Sequence, residues 1–198
     1  HVVEIRALNV PDCLEFVPLH HRDERGEFLE WFRADELQSA TGRRFDLQQA
    51  NLSVSVAGVV RGIHFSDVPP GQGKYVVAMS GHVTDYVVDL RVGSPTFGVW
   101  DAVELDTERR SAVFLPEGIG HAFWARTDAT VAYLTTDVYK PAHDRTISPL
   151  DAAIGLPVPA GAKMSPKDEG APTLAEAGEQ GWLPSWDTCQ TWYREVGR

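Results

Sequence analysis

The chain has 198 residues, of which 43% are hydrophobic, 10% aromatic and 23% charged, the composition of a folded protein rather than a disordered one. Its 18 Lys and Arg against 28 Asp and Glu give a formal charge of −10, which repels nucleic acid, because that binding runs on phosphate neutralisation. The longest apolar runs, such as 129–134, are far too short to span a bilayer, so the sequence predicts no membrane association.

In chain order, the apolar start Val2-Val3-x-Ile5 reads as an edge strand able to pair with another chain. No charged-then-apolar leader opens the sequence, so Cys13 and Cys189 read as free thiols in a reducing cytoplasm. Asp23-Glu-Arg-Gly26 is a turn, and Asp35–Ala40 predicts a short helix. In Gln49–Val56 the odd positions, Gln49, Asn51, Ser53 and Ser55, are all polar and the even ones all apolar. The polar row is either a solvent face or the wall of a barrel that holds a polar ligand.

Period-two alternation continues to about residue 139, with strands expected at 59–65, 74–80, 82–91, 97–104, 111–115, 120–126 and 129–138. Gly, Pro, Ser, Thr and Asp clusters separate them. Many short strands at this spacing predict an all-β sandwich or barrel. One domain over 1–198 is expected, with its barrel core at about 45–140 and a C-terminal extension at about 155–198. Residues 155–172 read as an extended connection. Helices are expected at 172–180, where Thr173 and Glu176 form a capping pair, and at 186–194.

The chemistry-bearing stretch is 59–75, VVRGIHFSDVPPGQGKY, which brings Arg61 and Lys74 around His64. A neutral imidazole suits proton abstraction near pH 7, and two cations suit an anionic substrate. Strict alternation sends Arg61 and His64 to opposite faces, since they differ by three. A shared site therefore predicts a bulge, and Gly62 is its natural place.

Pro116-Glu-Gly-Ile-Gly-His121 fits P-x-G-x-x-H and resembles the second signature motif of cupins, double-sheet jelly-roll barrels. Metal-binding cupins pair it with an H-x-H, but the matching Gly62-Ile-His64 region carries one histidine, so no metal is expected. The segments at 23–32, 48–65, 69–76, 85–100, 115–123, 133–141 and 165–168 occur in an order that resembles the dTDP-4-dehydrorhamnose 3,5-epimerase family, including relatives that build antibiotic deoxysugars. The resemblance spans about residues 15–185.

It implies a cupin-type jelly roll with short peripheral helices, mainly C-terminal, and epimerisation of a dTDP-4-keto-6-deoxyhexose at carbon 3, carbon 5 or both. No cofactor is expected, and the sequence has no Gly-x-Gly-x-x-Gly fingerprint. By the resemblance, His64 is the base, Asp168 its orienting carboxylate, Lys74 the cation for the enolate oxygen and Tyr133 the acid on the opposite face. Arg25, Arg61 and Lys167 would meet diphosphate, Gln49 and Asn51 would hydrogen-bond nearby, Phe28 would stack on thymine and Glu30 accept from it. Tyr139 would lie near the sugar. His121 either bonds within the pocket or braces the 116–120 turn. A homodimer is implied, with N-terminal strands added to the partner's sheet. Ser66, Asp144 and residues 155–159 depart from the usual pattern and leave the hexose and the inverted carbon open. A non-catalytic sugar-nucleotide-binding cupin is the alternative. It would need the arginines and aromatic residues but not Lys74, Tyr133 or Asp168.

Overall fold

The computed structural model describes residues 4–198. Val2 and Val3, part of the expected edge strand, lie outside the described residues. Ile5 falls in β1 (Glu4–Ala7), which pairs antiparallel with β2 (Leu14–Val17). A small hairpin follows, β3 (His21–Asp23) and β4 (Gly26–Phe28), then helix α1 (Ala34–Thr41), which stops at Gly42 in the left-handed region (φ 77).

Eight strands then run almost as the alternation predicts: β5 (Gln49–Ser55), β6 (Val60–Ser66), β7 (Lys74–Ser80), β8 (Val83–Asp89), β9 (Trp100–Leu105), β10 (Ala112–Leu115), β11 (Ile119–Ala125) and β12 (Ala129–Thr135). A short β13 (Asp144–Thr146) precedes α2 (Pro166–Glu169), α3 (Leu174–Glu179) and α4 (Trp186–Glu195). Helix α3 carries the expected capping box between Thr173 and Glu176. Helix α2 was not anticipated within the supposed extended connection. It is a single turn, started by Pro166 and capped by the Ser165 hydroxyl.

The strands form the expected cupin-type jelly roll. A six-stranded sheet in the order β1-β2-β10-β7-β12-β5 faces a five-stranded sheet in the order β13-β6-β11-β8-β9. Between them Val76, Ala78, Val113 and Val131 pack against Val83, Val87, Val103 and Phe123. Both sheets are also covered outside. Phe32, Leu37 and Phe45 pack on Tyr75, Phe114 and Leu134. Ile154, Leu174 and Ala177 pack on Ile63, Tyr86 and Ala122. Burial on both faces explains why β7 and β8 are apolar at consecutive positions.

Strand β5 settles the choice its alternation left open. It lies at the edge of the six-stranded sheet, and its polar row points inward while Leu52, Val54 and Val56 are 70%, 73% and 54% exposed. The polar row is a cavity wall, and the apolar row faces outward.

Candidate active site

The site begins with an irregularity in β6. Against β11, His64 pairs with His121 and Arg61 pairs with Phe123, so β6 spends one residue more than its partner between these points. This is the bulge predicted at Gly62, whose φ of +115 lies in the region open to glycine. A Cβ there would sit 2.5 Å from the His121 carbonyl oxygen. The bulge lets Arg61 and His64 line one cavity of about 390 Å³, together with Lys163, Ser165, Lys167 and Asp168.

Asp168 reaches His64 from α2. His64 Nε2 donates to Asp168 Oδ1 at 2.9 Å, and the Gly62 N–H donates to Oδ2 at 3.1 Å. The short α2 turn thus presents a 3%-exposed carboxylate that grips both the imidazole and the bulge. Burial pushes the Asp168 carboxyl up, but the His64 and Gly62 hydrogen bonds outweigh it and leave it below the usual range. With Nε2 protonated toward a carboxylate, His64 Nδ1 carries the ring's lone pair.

His64 also lines a second cavity of about 400 Å³, with Gln49, Asn51, Gln72, Lys74, Tyr133, Tyr139 and Asp144. Gln49 and Asn51 hydrogen-bond to each other at 2.9 Å, and Gln49 Oε1 accepts from the Tyr139 N–H at 2.9 Å. Lys74 is buried, and its Nζ lies 5.8 Å from the Tyr133 ring centre. Burial lowers the Lys74 ammonium, opposed by the charges of Asp144 and Asp85. Burial raises the Tyr133 phenol, against a lowering hydrogen bond with Asn51, so the hydroxyl stays protonated at neutral pH.

His121 stands on β11 beside His64, with its ring centre 6.4 Å from that of Tyr133. Its Nε2 meets Asp85 Oδ2 on β8 at 2.7 Å. His121 lines neither cavity, so the placement favours neither expectation outright: it is next to the pocket and partnered from below. The turn before it is braced by other groups. Glu117 is fully buried, accepts from Arg43 Nη2 at 2.9 Å and from Trp192 Nε1 at 3.1 Å, and its carbonyl accepts from the Tyr193 hydroxyl.

Lys167 sits at the cavity rim and donates to Asp144 Oδ2 at 3.1 Å. Arg25, Phe28 and Glu30 are placed apart from the rest. Arg25 and Phe28 belong to the β3–β4 hairpin, which joins neither large sheet. Arg25 pairs with Asp23 at the hairpin turn, Phe28 is 64% exposed, and Glu30 accepts from Arg33 at 3.0 Å. None of the three lines either cavity.

Sequence reasoning missed Gln72, Asp85, Asp144 and Lys163 as neighbours of the site. For Asp85 a signal existed: it is an acid flanked at its own parity by Val83 and Val87, with Asp89 the other acid of that row at the strand's end. Among the described residues, no group of three or more His, Cys, Asp or Glu side chains is arranged to hold a metal ion. No described helix is long and apolar enough to cross a membrane.

The family model for dTDP-4-dehydrorhamnose 3,5-epimerase matches residues 7–176. The chain is 50% identical to a dTDP-4-dehydrorhamnose 3-epimerase of Streptomyces niveus, over 95% of this chain and 92% of the relative. It is 45% identical to a dTDP-4-dehydrorhamnose 3,5-epimerase of Mycolicibacterium smegmatis, over 98% and 96% of the two chains. Among solved structures, ChmJ, a 3'-monoepimerase from Streptomyces bikiniensis in complex with dTDP-quinovose, superposes with a TM-score of 0.91 at 42% identity, covering 94% of this chain and 96% of that one. On the family match and on relatives that align along nearly its whole length, the chain belongs to the dTDP-4-dehydrorhamnose 3,5-epimerase family, whose members are isomerases.

Proposed function

We propose that this protein epimerises a dTDP-linked 4-keto-6-deoxyhexose at carbon 3, carbon 5 or both, as a step of deoxysugar biosynthesis in the cytoplasm. The observation that carries the reading is one cavity lined by a carboxylate-held imidazole, a buried ammonium and a phenol. The carbons flanking the sugar ketone bear acidic hydrogens. His64 Nδ1 removes one of them, and Asp168 stabilises the imidazolium that forms. The electron pair moves onto the ketone oxygen, where the Lys74 ammonium meets the developing charge in a poorly solvated site. Tyr133 then gives its proton to the opposite face of the same carbon, and the centre inverts. Only protons move, so the chemistry asks for no redox partner. The lobe with Arg61, Lys163 and Lys167 suits the diphosphate, despite the acidic whole.

Arg25, Phe28 and Glu30 fit this reading if the protein is a homodimer in which each hairpin enters the partner's cavity. Two features support that arrangement. The hairpin presents Phe28 to solvent, and edge strand β5 turns Leu52, Val54 and Val56 outward.

The reading is tested by proton NMR in heavy water with several 4-keto sugars. Signals of carbon 3, carbon 5 or both are expected to disappear as the epimer forms, which names the inverted centre. A sugar-binding cupin without catalysis would leave them intact. The dimer is tested by mixing. Phe28→Ala and His64→Ala are each expected to be nearly inactive, and co-refolding equal amounts should restore about a quarter of the wild-type sites. No recovery would mean that each chain builds its cavity alone.

A further inference from the structure

Two buried groups of opposite charge meet at the cavity, Lys74 in its lining and Asp85 beside His121, which stands outside that lining. Lys74 is 8% exposed and makes no ion pair or side-chain hydrogen bond among the described residues. Asp85 is 1% exposed, gives Oδ2 to His121 and has no hydrogen-bond partner for Oδ1. Lys74 on β7 shares the inward parity of Val76 and Ala78, and Asp85 on β8 that of Val83 and Val87, so the two side chains enter the space between the facing sheets. The charges of Asp144 on β13 and of Asp85 act on Lys74 there. Tyr133 on β12 faces it, and His64 on β6 lines the same cavity. Burial pushes the Asp85 carboxyl up, and His121 on β11 and Lys74 on β7 oppose that push and favour its charged form.

A carboxylate in direct contact with Lys74 would consume the N–H donors that a substrate oxygen needs. No carboxylate at all would leave a desolvated ammonium that sheds its proton. A buried negative charge that acts without contact avoids both outcomes. We propose that Asp85, held by His121, is a positioning residue for the reaction: the counter-charge that keeps Lys74 protonated while its donors stay free for the substrate oxygen. The role rests on the reading of Lys74 given above. Asp144 contributes as well, but it is shared with Lys167 at the rim, whereas Asp85 is sealed from solvent.

The sign follows from the charge. Removing the Asp85 negative charge lowers the Lys74 pKa, so the loss of ammonium moves to lower pH. The test is direct titration of Lys74 by carbon NMR of the protein labelled at its lysines, Lys74, Lys140, Lys163 and Lys167, with Lys74→Ala identifying the signal. In Asp85→Asn the Lys74 midpoint is expected about one unit below wild type, with the alkaline limb of kcat displaced equally and KM little changed. Activity should recover as pH is lowered, which a mere packing defect would not allow. Asp85→Ser, which removes the charge with a smaller side chain, serves if Asp85→Asn fails to fold. An unchanged Lys74 midpoint in a folded variant overturns the proposal. Wild-type deuterium exchange in Lys74→Ala would overturn the catalytic reading of Lys74, and the role of Asp85 with it, whatever the titration gives.

Discussion

Replacing His64 with alanine is expected to cut solvent-deuterium incorporation into the 4-keto sugar by about 10³-fold or more, while the protein stays folded. The two halves of this expectation have separate causes. His64 is the imidazole on the cavity wall with a buried carboxylate behind it, and no other described histidine lines that cavity. His121 is adjacent, but its Nε2 is committed to Asp85 and its ring is buried. On the proposed mechanism, loss of His64 therefore removes the base without a substitute. The fold should tolerate the change, because the His64 side chain is 36% exposed and contributes little to the core. The measurement is proton NMR in heavy water, with circular dichroism as the check on folding. Exchange within tenfold of wild type would place the base elsewhere.

Tyr133→Phe is expected to separate two events that the wild-type enzyme couples. On the proposed mechanism His64 would still remove and return the proton on its own face without the phenol, so the substrate is expected to acquire deuterium. Inversion needs a donor on the other face, and the epimer should form about 10²- to 10⁴-fold more slowly. Exchange with retention of configuration is the signature, read by following carbon–hydrogen signals and product configuration in one sample. The ring itself remains, so the contact with the Lys74 ammonium persists. Undiminished inversion would exclude Tyr133 as the acid. Loss of both exchange and inversion would mean that the hydroxyl serves binding or deprotonation instead. The upward push on the phenol by burial fits a donor that waits protonated at neutral pH.

Much of the fold was legible because burial writes a period-two signal. Strands β5 to β12 fell within a few residues of expectation, and Thr173 and Glu176 mark the start of α3 by local chemistry. The elements that escaped have three or four residues, since β2, β3, β4, β13 and α2 are too brief for a period to register. Direction was harder than existence. The alternation of β5 separates two faces but cannot say which is inside; that is decided by the cavity that Gln49 and Asn51 line together with His64. In the site, Arg61, His64 and Lys74 were visible as neighbours in sequence. Asp168 lies 104 residues from His64, so its role came from family likeness and not from spacing. Asp85 gave a faint signal, an acid between two inward valines, whose meaning depends on a histidine on the next strand.

The extra residue in β6 has an evolutionary reading. A single-codon deletion at Gly62 would restore regular pairing with β11 and shed a backbone conformation that only glycine holds comfortably. Arg61 and His64, then two residues apart, would still share a face, but the Gly62 N–H that holds Asp168 behind His64 would be lost. Selection for a sturdier barrel and selection for turnover therefore pull against each other at one position, and the retained glycine records which has prevailed.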